Sequence, residues 1–201
     1  MRWQERWLLS TPLRGWLLRK IEVPRVLNSL PLPAGTTCLE IGCGNGVGAL
    51  AVAQRLRTAR LVCVDSDAAM LDRARKVLAR PPRWAGDVDT GRIEPVCADA
   101  TRLPLADASF DAAFLFGVLH HIRQWPAAIR EVHRVLKPAG VFAFEEALMG
   151  RSRLLANRFW RHVPFGLEKL YAALREASFH VERFETALGG GWCFVQARKS
   201  V

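Results

Sequence analysis

From Pro33 onward the sequence alternates between short apolar runs and segments of helical period, and this rhythm constrains the fold more than any other feature. "TTCLEIGC" reads as a buried strand, and Gly46–Arg57 as the helix after it. Arg60–Asp65 is a second strand and Ser66–Leu78 a second helix. Arg92–Asp99 is a third strand, whose Pro95 suits an edge or a strand start. Phe110–Gly117 is a fourth, apolar enough to be covered on both faces. A helix over Pro126–Leu136 takes its proline in the first turn. "KPAG" then reads as a turn before a fifth strand, Val141–Ala147. A helix near Leu167–Ala177 precedes "FHVERFETA" and "GWCFVQARK", two strands joined through Gly189, Gly190 and Gly191 as a hairpin. Strands spaced by helices predict a Rossmann-like, doubly wound α/β fold: seven strands, mostly parallel, with a C-terminal antiparallel hairpin.

Two segments flank this body. Residues 1–30 read as an N-terminal helical cap of two or three short helices, with Leu13, Trp16, Leu17 and Ile21 on one helical face. Residues 31–201 form the main domain, within which 148–165 is a basic and aromatic insertion. The net charge is +10, and most of the excess lies in these two segments. Residues 148–165 hold Arg151, Arg153, Arg158 and Arg161 and no acid, mixed with Phe159, Trp160 and Phe165. Formal charge of this kind bears on partners, not on fold. The loop over residues 80–91 reads as a surface excursion.

No early stretch has the apolar core of a signal peptide, and the longest uncharged apolar run, Ala112–Ile122, is too short to cross a bilayer. The expectation is a soluble cytoplasmic protein. The five cysteines form no CxxC pair and read as buried reduced thiols, and no metal site is expected.

The segment "LEIGCGNGVGAL" sets four glycines between a strand and a helix, where free N–H groups and the positive end of the helix dipole are presented. Ligands of open α/β sheets bind at the carboxyl ends of the strands, near the point where strand order reverses. Asp65, at the end of the second strand, can accept hydrogen bonds from a ribose. "GNGVGA" also satisfies GxGxxA, so the glycines alone do not separate a dinucleotide from another nucleoside cofactor.

The remaining motifs separate them. Glu40 precedes the glycines, Asp99 ends the third strand, "GVLHHI" follows the fourth and "RVLKPAGVFAF" leads into the fifth. With these the sequence, from about Thr37 to Ala147, resembles the class I S-adenosylmethionine-dependent methyltransferases, in particular the small-molecule group called methyltransferase type 11. The resemblance implies S-adenosylmethionine as cofactor and S-adenosylhomocysteine as product. It implies that Glu40, Gly42 and Gly44 line the methionine end, with backbone from Cys43 and Asn45. Asp65 would bind the ribose, with Ser66 beside the adenosine. Asp99 and the Ala100 N–H would meet the adenine, and Phe116, Gly117 and Val118 would border the transferred methyl. The family's usual "KPGG" turn has Ala139 in place of a glycine here.

If the acceptor must lose a proton, His120 and His121 are the candidate bases, since histidine titrates near neutral pH. Glu145 and Glu146 point to opposite faces of a strand and read as solvated charge. The expected acceptor is a small molecule, anionic or lipophilic, with membrane-surface contact through the Arg- and Trp-rich N-terminus as a further partner. The sequence argues against nucleic acid, because "FGVLHH" stands where base methylases carry an "NPPY"-type signature. Alternatives are an RNA or protein methyltransferase, a non-catalytic cofactor-binding module, and a nicotinamide-dependent oxidoreductase. The last lacks a Tyr-x-x-x-Lys pair: Tyr171 is the only tyrosine and position 175 is Arg.

Overall fold

The computed structural model describes residues 11–28, 30, 32–58, 60–148 and 165–200. Seven strands form one sheet in the order β3-β2-β1-β4-β5-β7-β6. They are β1 (Thr37–Ile41), β2 (Arg60–Asp65), β3 (Ile93–Cys97), β4 (Phe110–Phe116), β5 (Leu136–Ala147), β6 (Phe179–Ala187) and β7 (Trp192–Lys199). The first five pair in parallel. β7 runs antiparallel between β5 and β6, and the turn Leu188–Gly190 closes the expected hairpin. Strand order reverses between β1 and β4, which are neighbours.

Side chains alternate across the sheet, so each strand feeds two cores. On one face Leu39, Val62, Phe142 and Phe144 pack with α5 (Trp125–Val135) and α6 (Leu167–Glu176), through Ile129, Val132, Leu170 and Leu174. On the other, Cys38, Leu61, Phe114 and Ala143 pack with α3 (Val47–Leu56) and α4 (Ala68–Ala79), through Leu50 and Leu71. Pro95 sits in the edge strand β3, where its missing N–H interrupts no interior ladder.

Several details depart from the sequence reading. The N-terminal residues form a nearly continuous helix: α1 (Pro12–Leu17), a π-helical turn Leu18–Glu22, and α2 (Val23–Leu27). The Val23 N–H reaches back five residues to the Leu18 carbonyl. Pro24, which has no N–H to donate, follows at once, and the wider turn absorbs that loss. The face carrying Leu13, Trp16 and Ile21 points to solvent, with exposures of 67%, 48% and 43%. The buried side instead uses Val23, Val26 and Leu27.

"KPAG" is a bulge inside β5 rather than a turn before it. Leu136 pairs with Phe110, the register slips, and pairing resumes at Val141 with Ala112. Ala139 there has φ +59°, a region glycine occupies more cheaply. Cys97 is exposed, unlike the other four cysteines, because it ends the edge strand. The 80–91 loop carries two short 3-10 turns, and its Trp84 receives the Arg19 guanidinium 4.9 Å from the ring centre. Trp3, Trp7 and residues 149–164, with all four insertion arginines, lie outside the described residues. Among the described residues no helix is long and apolar enough to cross a membrane.

The helix Pro12–Leu27 is tied to the far end of the chain. Gln196 Nε2 donates to the carbonyls of Val26 (3.0 Å) and Asn28 (2.9 Å). Arg183 Nη1 donates to Asn28 O, and Arg25 pairs with Glu185.

Candidate cofactor and active site

A cavity of about 830 Å3 opens at the carboxyl ends of β1 to β4, where strand order reverses. Its floor is the turn after β1. The N–H groups of Gly42 and Cys43 both donate to Val64 O, at 2.7 and 3.0 Å, folding the turn back onto β2. Gly42 has φ +73°, and a Cβ there would run into Val118 across the cavity. Glycine thus sets how closely the two walls approach.

All twelve proposed cofactor residues line this cavity. Glu40, Gly42, Cys43, Gly44 and Asn45 come from the end of β1 and its turn. Asp65 and Ser66 follow β2, Asp99 and Ala100 follow β3, and Phe116, Gly117 and Val118 follow β4. Asp65 joins two of these turns: Oδ2 accepts the Gly44 N–H (2.9 Å) and Oδ1 the Asp67 N–H (2.8 Å). Burial raises its pKa against the opposing pull of those two N–H groups. Asp99 Oδ1 accepts both the N–H and the hydroxyl of Thr101, each at 2.8 Å.

Glu40 lies wholly inside the fold. Its Oε2 is buried without a hydrogen-bond partner, and burial, helped by the Asp65 charge, pushes its carboxyl up to about 8. It packs against Gly48, where a Cβ would collide with it. An orphaned carboxyl at the head of the glycine turn fits a ligand that brings a cation or a hydrogen-bond donor.

The two histidines take different places. His121 lines the cavity. His120 is buried, and its Nδ1 meets Glu146 Oε1 in a short contact. Glu146 also accepts the N–H of Leu119 (2.7 Å) and of Ala147 (2.8 Å). The rings of His120 and His121 stand 4.2 Å apart.

The acids at the end of β5 correct the expectation of solvated charge: Glu145 and Glu146 are both 0% exposed. Three partners satisfy Glu146. Glu145 faces the other side, under the N-terminal helix, and neither of its oxygens finds a hydrogen bond of good geometry. Burial raises its pKa well above the carboxylate range, and the charges of Glu22 and Glu146 add to that, against Arg14.

Arg14, Leu18 and Met70 also line the cavity, and sequence reasoning did not single them out. Arg14 Nη1 holds both oxygens of Glu22, at 2.7 and 2.6 Å. Its signal, an Arg and a Glu eight residues apart, acquires meaning only once the helix is known to lie over the sheet. Among the described residues no three His, Cys, Asp or Glu side chains gather as a metal ion requires.

Compared with known proteins, residues 39–144 match the family described as "Methyltransferase domain". The chain belongs to this family. The methyltransferase domain is 37% identical over 125 residues to 27-O-demethylrifamycin SV methyltransferase of Amycolatopsis mediterranei, covering 62% of this chain and 43% of that protein. It is 28% identical over 174 residues to the malonyl-acyl-carrier-protein O-methyltransferase of Methylovorus sp., covering 87% of this chain and 50% of that protein. The chain therefore spans about half the length of these curated relatives. A solved S-adenosylmethionine-dependent methyltransferase from Aquifex aeolicus shares the fold, with a TM-score of 0.75 at 18% identity over 98% of both chains.

Proposed function

We propose that this methyltransferase domain binds S-adenosylmethionine in the cavity above β1 to β4 and passes its methyl group to a small molecule. The observation that carries this reading is the grouping of Glu40, the glycine turn, Asp65, Asp99 and Gly117 along one cavity at the reversal of strand order. When bound, the cofactor supplies an electrophilic methyl on a sulfonium with a neutral leaving group. The protein's part is then mainly to hold the acceptor in line, at about 3–3.5 Å. Asp65 and Asp99 take the ribose and the adenine. Glu40 takes the amino group at the methionine end, which gives its orphaned oxygen a partner.

His121 is the residue for accepting a proton from an acceptor that must lose one, since it reaches the cavity. His120, clamped by Glu146, positions the turn that carries His121. The cavity walls include Leu18, Phe116, Val118 and Ile122, which supports an acceptor with an apolar part. The basic residues of 1–10 and 149–164 support an anionic part or a membrane surface, as does exposed Trp16 beside Lys20.

Calorimetric titration with S-adenosylhomocysteine, with NADH in parallel, tests the reading. Micromolar binding of the first and none of the second is expected. The reverse pattern would transfer the site to nicotinamide chemistry, and folded protein that binds neither would end the proposal.

A further inference from the structure

The cavity described above has an excess of negative charge. Glu40, Asp65, Asp67 and Asp99 line it, while Arg14 is the one lining residue among those described with a permanent positive charge. A ligand with a ribose, an adenine and an amino group suits those acids. An amino-acid end also carries a carboxylate, and no acid can receive that.

Arg14 is built to receive it. The helix Pro12–Leu27 lies across the glycine turn: Leu18 Cδ2 is 3.5 Å from where a Gly48 Cβ would be, and Gly15 packs on Val47. Thr11 caps the helix by accepting the Arg14 N–H at 3.3 Å. Glu22, brought under Arg14 through the π-helical turn, takes Nη1 with both oxygens. That leaves Nη2 without a hydrogen bond to any described residue. Nη2 stands 3.8 Å from the space beside Gly117 where a side chain would be, and Glu145 Oε1 stands 3.3 Å from the same space. Burial raises the Glu145 carboxyl well above the usual carboxylate range, which weakens it as a rival anion for the guanidinium. The side chain of Arg14 is 22% exposed, enough shielding for a charge-assisted bond to count.

We propose that Arg14 is the carboxylate-binding residue of this pocket and takes the carboxylate of the cofactor's amino-acid end. This rests on the methyltransferase reading above. Glu22 is a positioning residue: it fixes the guanidinium plane and leaves one edge for the ligand. The N-terminal helix is therefore part of the cofactor site, and binding fastens it onto the glycine turn.

The test compares S-adenosylhomocysteine with 5′-methylthioadenosine, which keeps the adenosine and the sulfur but lacks the amino-acid end. Arg14→Met combined with Glu22→Gln removes the guanidinium without stranding a buried carboxylate. This double variant should bind S-adenosylhomocysteine about 10- to 100-fold more weakly and methylthioadenosine unchanged. Arg14→Lys keeps the charge but loses the fork, and should fall between wild type and the double variant. Unchanged S-adenosylhomocysteine affinity in the double variant would overturn the proposal and transfer Arg14 to the acceptor. Equal weakening of both ligands would also overturn it, because Arg14 would then only shape the pocket. Wild-type protein that binds methylthioadenosine but not S-adenosylhomocysteine would overturn it as well, while leaving an adenosine site in place. Failure of the wild type to bind either would sink the methyltransferase reading itself.

Discussion

Glu40 has an ordinary carboxyl value of 4.5 and is pushed up to about 8 in the fold, first by burial and then by Asp65. Between those two pH values the folded chain keeps a proton that the unfolded chain releases. Its contribution is therefore intact below 4.5 and is lost as pH rises toward 8, by about 1.4 kcal/mol per unit. Glu40→Gln removes this penalty. In urea unfolding the variant should match wild type near pH 4 and exceed it at pH 8. Equal stability at pH 8 would mean that Glu40 is already ionised in the fold. The positions of Glu40, Asp65, Asp99 and Gly117 were legible because each lies at or just past the carboxyl end of a strand, and parallel strands put those ends together. Arg14, Glu145 and Glu146 were not. Arg14 reaches the site from another element, and a pair of adjacent glutamates in sequence gives no sign of the partners that permit their burial.

Among the elements, the short turn Leu119–His121 depends most on a single side chain. Glu146, at the end of β5, accepts the Leu119 and Ala147 N–H groups and holds the His120 ring. Removing it orphans buried donors that water cannot easily reach. Glu146→Leu should cost about 3 kcal/mol or more. By differential scanning calorimetry this should appear as a melting temperature lower by about 6–12 °C. Glu146→Gln, which still accepts from Leu119, should lose clearly less. An unchanged melting temperature for the leucine variant would show that the bracket carries no weight. The strands and helices of the sheet were readable to within a few residues, since their periods are set by burial on one or two faces. The bulge at Lys137–Gly140 was not readable, because it arises from a register slip against β4 and not from local preference. Within the N-terminal segment, residues 12–27 are helical, and the face they bury differs from the one expected. Leu13, Trp16 and Ile21 have the period of a buried stripe, yet contact with α3 falls instead to Gly15 and Leu18.

At the scale of the whole molecule, the turns that line the cavity follow β1 to β4, and the helix over them precedes β1. If Arg14 couples the two, saturating S-adenosylhomocysteine should slow amide hydrogen exchange in residues 12–27 as well as in the 42–46 turn. Protection confined to the turn would mean that the helix does not follow the ligand. Ligand at about 100 times its dissociation constant should add about 2.7 kcal/mol of stability in total.

The bonds from Gln196 and Arg183 to the carbonyls of Val26 and Asn28 also bear on how the chain is made. A ribosome releases the helix Pro12–Leu27 long before β6 and β7 exist, and domains begin to organise as they emerge. The helix that carries Arg14 is thus made well before the strands that moor it, so a nascent chain can have its glycine turn complete and its pocket still open. A product that stops short of β7 would keep all five parallel strands and lose the Gln196 bonds that hold the helix.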